Sequence, residues 1–342
     1  MAAPLSSVLR SINRDRSRSL NILYSNNHEA YSATLAKTGH NFFVVQHPRF
    51  HAWDAKERPV PENFYMLDGK DIPSQLKTDI AFDLVLTQNR IEHYPIMAQL
   101  AAQLNCPILQ MEHTLPWPDW DDDTIERVGS LPCDHNIFVS SFSVGAWFHD
   151  EDDPDVQIIH HGMDTDYWNG WVGGDGKVMT AVWDYVNRDR ICGFSLWKEV
   201  TEGLQVNPWG ETPGLSRMAD NSDHLRELYR HASVFLNTTL WSSCPFSLLE
   251  AMSVGCPIVT TATTMMPEFI VDGVNGFITN DPQTMRERLE QLISDKELAK
   301  QIGAAGRETV LQQFGQQRFL DEWNEAFWKT AGCPAGRAIQ GG

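Results

Sequence analysis

No two of the six cysteines stand at C-x-x-C spacing, and no His/Cys cluster has the spacing of a zinc site. Zinc-finger and thioredoxin-type chemistry are thereby set aside, and reduced, buried thiols in a cytoplasmic protein become the expectation. No apolar run approaches the length that crosses a bilayer. Basic charge is scarce as well: 27 Lys and Arg against 45 Asp and Glu leave a formal charge of −18. Such a balance disfavours general binding to nucleic acid or anionic lipid, both of which need clustered cations. Much of the acid gathers at 119–123 (DWDDD) and 150–155 (DEDDPD), both expected as solvated loops.

A chain of 342 residues with 42% hydrophobic and 21% charged residues is long enough for two globular domains. Residues 1–20 are rich in Ser and Arg and nearly free of acid, a composition shared by transit peptides and flexible leads; a flexible lead is the reading adopted. Short apolar runs then alternate with helical stretches. Strands are expected at 20–25, 41–46, 82–87, 107–111, 136–140 and 156–160, with helices over 30–38 and 92–104. Strands apolar on both faces and separated by helices imply a parallel sheet covered on each side. The glycine-rich stretch 171–177 (WVGGDGK) reads as a linker, placing a first domain at 1–171. Alternation resumes over 177–315, with strands at 178–185, 234–238, 257–261 and 276–278 and helices at 222–231, 246–254, 282–294 and 296–313. A helix over 316–330 carries Phe319, Trp323, Phe327 and Trp328, and 331–342 is expected to be mobile. Two doubly wound α/β domains would face a cleft at the carboxyl ends of their strands.

The unit VFLNTTLWSSCPFSLLEAMSVG, from Val234 to Gly255, passes from strand through turn into helix. A helix that begins directly after a strand offers free N–H groups and about half a positive charge at its start. The turn is therefore suited to a diphosphate, with the amides of Ser247 and Leu248 as donors. Glu250, one turn further in, can accept from both hydroxyls of a ribose, or can simply be a glutamate favoured by the helix dipole. Asn27, His28 and Glu29, at the end of the first strand, suit contact with an acceptor or a phosphate, although Asn and His are also ordinary turn formers.

The stretches LRELYRHASVFLNTT, PFSLLEAMSVGCPIVTT, MPEFIVDGVNGFI and GAAGRETVLQQF, in that order, resemble the C-terminal domain of the glycosyl transferases group 1 family, covering about a quarter of the chain. The resemblance implies a GT-B fold: two Rossmann-like domains and a last helix that crosses back to the N-terminal one. It implies a retaining enzyme that moves a sugar from a nucleotide-sugar donor to a hydroxyl acceptor, without a metal or other cofactor. Carried over residue by residue, Glu250 matches the glutamate that holds the nucleotide ribose, and Arg188 matches the arginine on the donor diphosphate. Lys198 is its expected basic partner, with Arg190 as the alternative. His113, in QMEHTLPW, matches a histidine facing the donor sugar, where an imidazole could donate to a hydroxyl or stabilise charge near the anomeric carbon. Ser242, Ser243, Pro245 and Phe246 complete the donor turn. In the family a second glutamate precedes the first by eight positions; here Ser242 stands in its place, which puts the choice of sugar in doubt more than the phosphate chemistry.

A D-x-D metal motif occurs at Asp119 to Asp121 and again at Asp121 to Asp123, but it belongs to transferases of a different fold and precedes a helix, where Asp is a favoured cap. Three other readings compete. They are an epimerase or phosphorylase on the same fold, a nucleotide-sugar-binding protein without transferase activity, and a transferase acting on a hydroxylated DNA base, as some phage glucosyltransferases do. The overall acidity speaks against the last.

Overall fold

The computed structural model describes residues 16–55, 58–68 and 80–332. Most of the expected N-terminal lead, and the expected tail from 333 onward, lie outside the described residues. The chain divides into two compact units, the first holding 1–161 and 317–342 and the second 162–316. Among the described residues no helix is long and apolar enough to cross a membrane.

The first unit is built on a seven-stranded sheet of order β3-β2-β1-β4-β5-β6-β7. Its strands are β1 (Asn21–Tyr24), β2 (Asn41–Gln46), β3 (Phe64–Asp68), β4 (Leu84–Thr87), β5 (Ile108–Glu112), β6 (His135–Phe138) and β7 (Val156–Ile158), every pair parallel. β4 is buried along its whole length and β1 nearly so, as helix-covered parallel strands require. Its helices are α1 (Glu29–Ala36), α2 (Tyr94–Leu104), α3 (Asp122–Gly129) and α4 (Ser141–Ala146). The last helix of the chain, α12 (Gln316–Gly332), joins this unit. Phe319, Trp323 and Phe327 are fully buried on its inner face, and the Trp323 indole donates to Tyr31 Oη at 2.9 Å. Burying each large aromatic contributes roughly 2–3 kcal/mol, and Phe319 and Trp323 against Tyr31 and Phe327 against Phe42 fix the helix to α1 and β2.

The second unit has a five-stranded sheet of order β12-β11-β10-β8-β9. It comprises β8 (Val178–Ala181), β9 (Val206–Trp209), β10 (Val234–Asn237), β11 (Ile258–Thr260) and β12 (Phe277–Ile278), again all parallel. Around it lie α5 (Asp189–Cys192), α6 (Phe194–Thr201), α7 (Ser222–His231), α8 (Phe246–Val254), α9 (Met266–Phe269), α10 (Pro282–Ser294) and α11 (Lys296–Gln313). Residues 162–171, placed with the first half from sequence, instead belong here. Met163 N–H donates to Phe314 O at 2.7 Å, and the Trp171 indole donates to Ala232 O at 2.8 Å.

Two strands, β3 and β9, escape the sequence pattern, and one expected strand is shorter than its apolar run. β3 exposes Tyr65 and Asp68, which breaks its apolar pattern, and β9 contains Pro208, which a strand tolerates at the sheet edge where β9 lies. The run expected as a strand over 178–185 stops at Ala181, since Asp184 takes a left-handed φ of 48° that ends any strand.

Strand order reverses direction between β1 and β4 in the first unit and between β8 and β10 in the second. Loops leaving such neighbouring strands diverge to opposite sides and open a crevice at their carboxyl ends. In the first unit those loops start at Ser25 and Gln88; in the second they start at Val182 and Thr238.

Candidate donor and sugar site

In the second unit the two diverging loops are laced together. The Leu240 and Trp241 amides both donate to Ile191 O, at 2.8 and 3.0 Å, and Thr238 Oγ1 donates to Cys192 O at 3.0 Å. Gly193 makes this approach possible. It joins α5 to α6 at a φ of 73°, and a Cβ there would overlap the Thr238 carbonyl oxygen. From the other side Thr261 and Thr263 donate through their hydroxyls to Thr239 O, at 2.5 and 2.8 Å. The turn 238–245 is thus fixed on both flanks before α8 begins.

Pro245 is the N-cap of α8 and supplies no side-chain cap. Helix geometry directs the first-turn amides of Phe246, Ser247 and Leu248 out of the helix start. Ser242, Pro245, Phe246 and Ser247 are half-buried, whereas Ser243 and Leu248 are buried. Glu250 follows one turn in, is 9% exposed, and accepts from Tyr229 Oη at 3.1 Å. Tyr229, on α7, is fully enclosed, and burial and the neighbouring Glu250 hold its phenol far above the ordinary value. It therefore remains a donor to the carboxylate throughout the physiological range. Sequence reasoning missed Tyr229; its signal was an apolar ring with one polar atom on a helix that packs beside Glu250.

The expected cations lie in the same loop system. Arg188 is the N-cap of the short α5, half-buried, with its guanidinium over the Trp183 ring at 5.7 Å and donating to Trp183 O at 3.2 Å. Arg190 is exposed on α5. Lys198 is exposed on α6 and leans back over the Phe194 ring at 5.0 Å, towards the helix start. Asp189 accepts from the Ser195 hydroxyl and amide at 2.6 and 2.7 Å; these bonds first, then Lys198, hold its carboxyl below the ordinary range.

In the first unit His113 follows β5 and is half-buried. Its Nε2 lies 3.1 Å from Gln88 Oε1, and its ring meets Tyr31 edge-on at 4.4 Å between centroids. Burial, then His161, His28 and His93, keep its pKa well below the ordinary value, so the ring is neutral. Glu112, wholly buried just before it, accepts from the Thr114 amide and hydroxyl at 3.0 and 2.6 Å and thereby shapes the exit of β5. Among the loop residues after β1, Asn27 is half-buried and His28 exposed. Glu29 is turned inward at 3% exposure, accepting from the Asp54 amide at 2.9 Å and lying 2.8 Å from His51 Nε2. Neither Glu112 nor Gln88 was singled out from sequence. A polar residue ending, or directly after, a strand buried on both faces was the available signal. Asp121 of the acidic stretch caps α3 by accepting from the Thr124 amide at 2.9 Å, as its position before a helix predicts.

Two parallel-sheet Rossmann-like units in this order define a GT-B fold. HepE from Anabaena (Alr3699), solved with UDP, superposes with a TM-score of 0.71 at 13% identity, covering 91% of this chain and 100% of that one. Sucrose-phosphate synthase from Thermosynechococcus elongatus does so with a TM-score of 0.67 at 14% identity, over 91% and 99%. Residues 218–309, from the end of the β9 loop to α11, match the glycosyl transferases group 1 family, the one whose motifs the sequence carries. Spore coat protein SA of Bacillus subtilis is 34% identical over 108 residues, 30% of this chain and 28% of that protein. The putative colanic acid biosynthesis glycosyltransferase WcaL of Salmonella typhimurium is 29% identical over 143 residues, 38% of this chain and 34% of its own length. The chain thus aligns with about a third of the length of these relatives.

Proposed function

We propose that the protein is a retaining glycosyltransferase that moves a sugar from a nucleotide-sugar donor to a hydroxyl acceptor without a metal ion. The observation that carries this reading is the crevice between β8 and β10. There a helix start whose N-cap is a proline, a buried glutamate one turn in and the cations of α5 and α6 are held on one laced loop system. In this reading the α8 amides and Arg188, with Lys198 or Arg190 as second cation, stabilise the departing diphosphate. Fixed cations and dipoles can do this without a bound ion because they need no reorganisation as charge develops. Glu250 accepts from the ribose hydroxyls, and His113 is assigned to hydroxyls of the sugar. The acceptor proton passes to the donor phosphate oxygen on the same face of the sugar, which retains the anomeric configuration.

HepE was also solved with UDP-glucose, so uridine nucleotides are the first donors to screen. A ligand that binds the folded state raises its melting temperature by mass action. A thermal-shift series over nucleotide sugars, followed by anomer analysis of the product in excess EDTA, tests the reading. Stabilisation by at least one donor and release of its nucleoside diphosphate are expected. No shift with any donor, an inverted product, or activity lost to EDTA would each remove the corresponding part. Ser242 favours one second reading, binding without transfer, since it removes a carboxylate from the sugar side of the turn. Stabilisation by a donor that is neither transferred nor hydrolysed would select that alternative.

A further inference from the structure

In the second unit the loops leaving β9, β8 and β10, three neighbouring strands, meet at Tyr185. Its own loop leaves β8 and turns at Asp184, whose amide donates to Glu211 O at 2.8 Å. The Tyr185 amide donates to Thr212 Oγ1 at 2.9 Å, in the loop after β9. Its phenol oxygen is hydrogen-bonded to Thr238 Oγ1, at the head of the turn after β10. Tyr185, Thr212 and Thr238 are each at most 1% exposed, so bulk water does not compete for these bonds. The ring packs against Phe194 and Trp197 of α6, at 5.4 and 5.8 Å between centroids.

Thr238 gives its hydroxyl hydrogen to Cys192 O at 3.0 Å, since a carbonyl oxygen only accepts. Thr180, the other hydroxyl beside the phenol, gives its own to Leu236 O at 2.9 Å. The Tyr185 hydrogen therefore goes to Thr238 Oγ1, and a relay runs from Tyr185 through Thr238 to Cys192 O. Burial holds the phenol above its ordinary pKa, so it keeps that hydrogen at neutral pH. Cys192, at the far end of the relay, closes the short α5 that Arg188 opens. The Cys192 amide donates to Arg188 O at 2.7 Å, and the Arg188 amide to Asp184 O at 3.1 Å. Tyr185 thus holds the Arg188 turn from both sides, by its own place after Asp184 and through Thr238 at Cys192. Without the phenol oxygen, buried Thr238 Oγ1 loses its donor and the relay loses its anchor.

We propose that Tyr185 is a positioning residue, which through its phenol and Thr238 fixes where Arg188 stands relative to the turn 238–245 ahead of α8. The part Arg188 plays in the reaction rests on the glycosyltransferase reading; the coupling of the two loops by Tyr185 does not. Arg188 is assigned to charge that develops as the diphosphate leaves. A small displacement of it therefore weakens the transition state more than the bound donor.

Tyr185→Phe in the full chain removes the phenol oxygen and keeps the packed ring. It should lower kcat about 10-fold and leave the donor KM within about 2-fold. In an Arg188→Ala background the same change should alter kcat by less than about 2-fold, because no guanidinium remains to be misplaced. Thr238→Val should reproduce the loss, and Thr238→Ser, which keeps the hydroxyl, should retain the rate. A loss of equal size with and without Arg188, or a rise in KM alone, overturns the positioning role. Amide exchange resolved by NMR reads the link without turnover. The amides of Leu240 and Trp241, which donate to Ile191 O, should exchange about 10-fold faster in Tyr185→Phe, while those of β11 stay unchanged. Unchanged exchange at both overturns the link. If exchange rises as expected but the unmodified protein turns over no donor, the glycosyltransferase reading fails and the coupling by Tyr185 stands.

Discussion

Glu250 reaches its place through a neighbour rather than through its own helix alone. Tyr229 Oη binds one oxygen of the carboxylate, and the phenol cannot ionise at neutral pH, so the carboxylate is held in one orientation. Glu250→Ala should therefore weaken nucleotide-sugar binding by about 10- to 100-fold, as expected for losing charge-assisted hydrogen bonds to two hydroxyls. Isothermal calorimetry decides this; unchanged affinity with an intact fold would sink the ribose assignment. Tyr229→Phe removes one hydroxyl and keeps the ring. It should raise the donor KM by about 5-fold while leaving kcat nearly unchanged, because only ground-state and transition-state binding in common is disturbed. A fall in kcat without a change in KM would place the phenol in the chemistry instead. Arg188 belongs to the opposite class. Its guanidinium is held by the Trp183 ring and carbonyl, and Arg188→Ala should lower kcat by about 100-fold, more than it raises KM, if it meets charge that develops on the leaving diphosphate. Full activity in that variant removes Arg188 from the site.

At the level of elements, the corner between α5 and α6 depends on Gly193. Gly193→Ala must take a left-handed φ and also push its methyl into the Thr238 carbonyl, so it should cost about 2 kcal/mol or more and loosen the turn 238–245. Denaturant unfolding checks the first effect and donor affinity the second. A variant with native stability would show that the corner relaxes without strain. The same corner shows how far the sequence could be read. Helices with a clean apolar face and an aspartate cap, such as α10 and α11, were delimited to the residue because pattern and capping agree. β2 was likewise unambiguous. The missed strands are those where local pattern and tertiary context part company: β9 with its proline at an edge, and β3 with Tyr65 exposed. In the site, the sequence pattern places the α8 turn and Glu250 at the start of a helix and His113 just past a strand, as the structure does, while the roles given to them remain proposals. Gln88 and Tyr229 were not legible. Their place in it comes from hydrogen bonds to residues 25 and 21 positions away, which no local spacing encodes.

On the scale of the whole molecule the two units should respond differently to acid. Of 12 histidines only His224 and His231 lie in the second unit. In the first, burial draws His93 down to about 4, and burial together with the nearby Lys329 draws His135 to about 3. His40, His113, His149 and His160 are lowered by burial as well. In the unfolded chain these rings take up a proton near 6.5, whereas the folded unit resists until lower pH. Between those values the unfolded state binds more protons, so the stability present above about pH 6.5 is lost progressively as pH falls towards 4. Glu112 works in the opposite sense, since burial raises its carboxyl and lets the folded form take a proton first, but it is one group against several. In the second unit the shifted carboxyls of Asp189, Asp220 and Asp281 are held below 3.8 by their hydrogen bonds, so the stability they supply persists until pH falls below that value. His135 ties this response to the last helix. Thr330 gives its hydroxyl hydrogen to Ala326 O, so it accepts from His135 Nδ1, and Lys329 Nζ donates to Nε2. A second proton on that ring breaks the contact with Lys329 and places two positive charges side by side. Hydrogen exchange at about pH 7.5 and about pH 5, corrected for intrinsic rates, should therefore show α12 and the first sheet losing protection while the second sheet keeps it. Equal loss in both units, or earlier loss in the second, would show that the buried histidines do not govern acid stability.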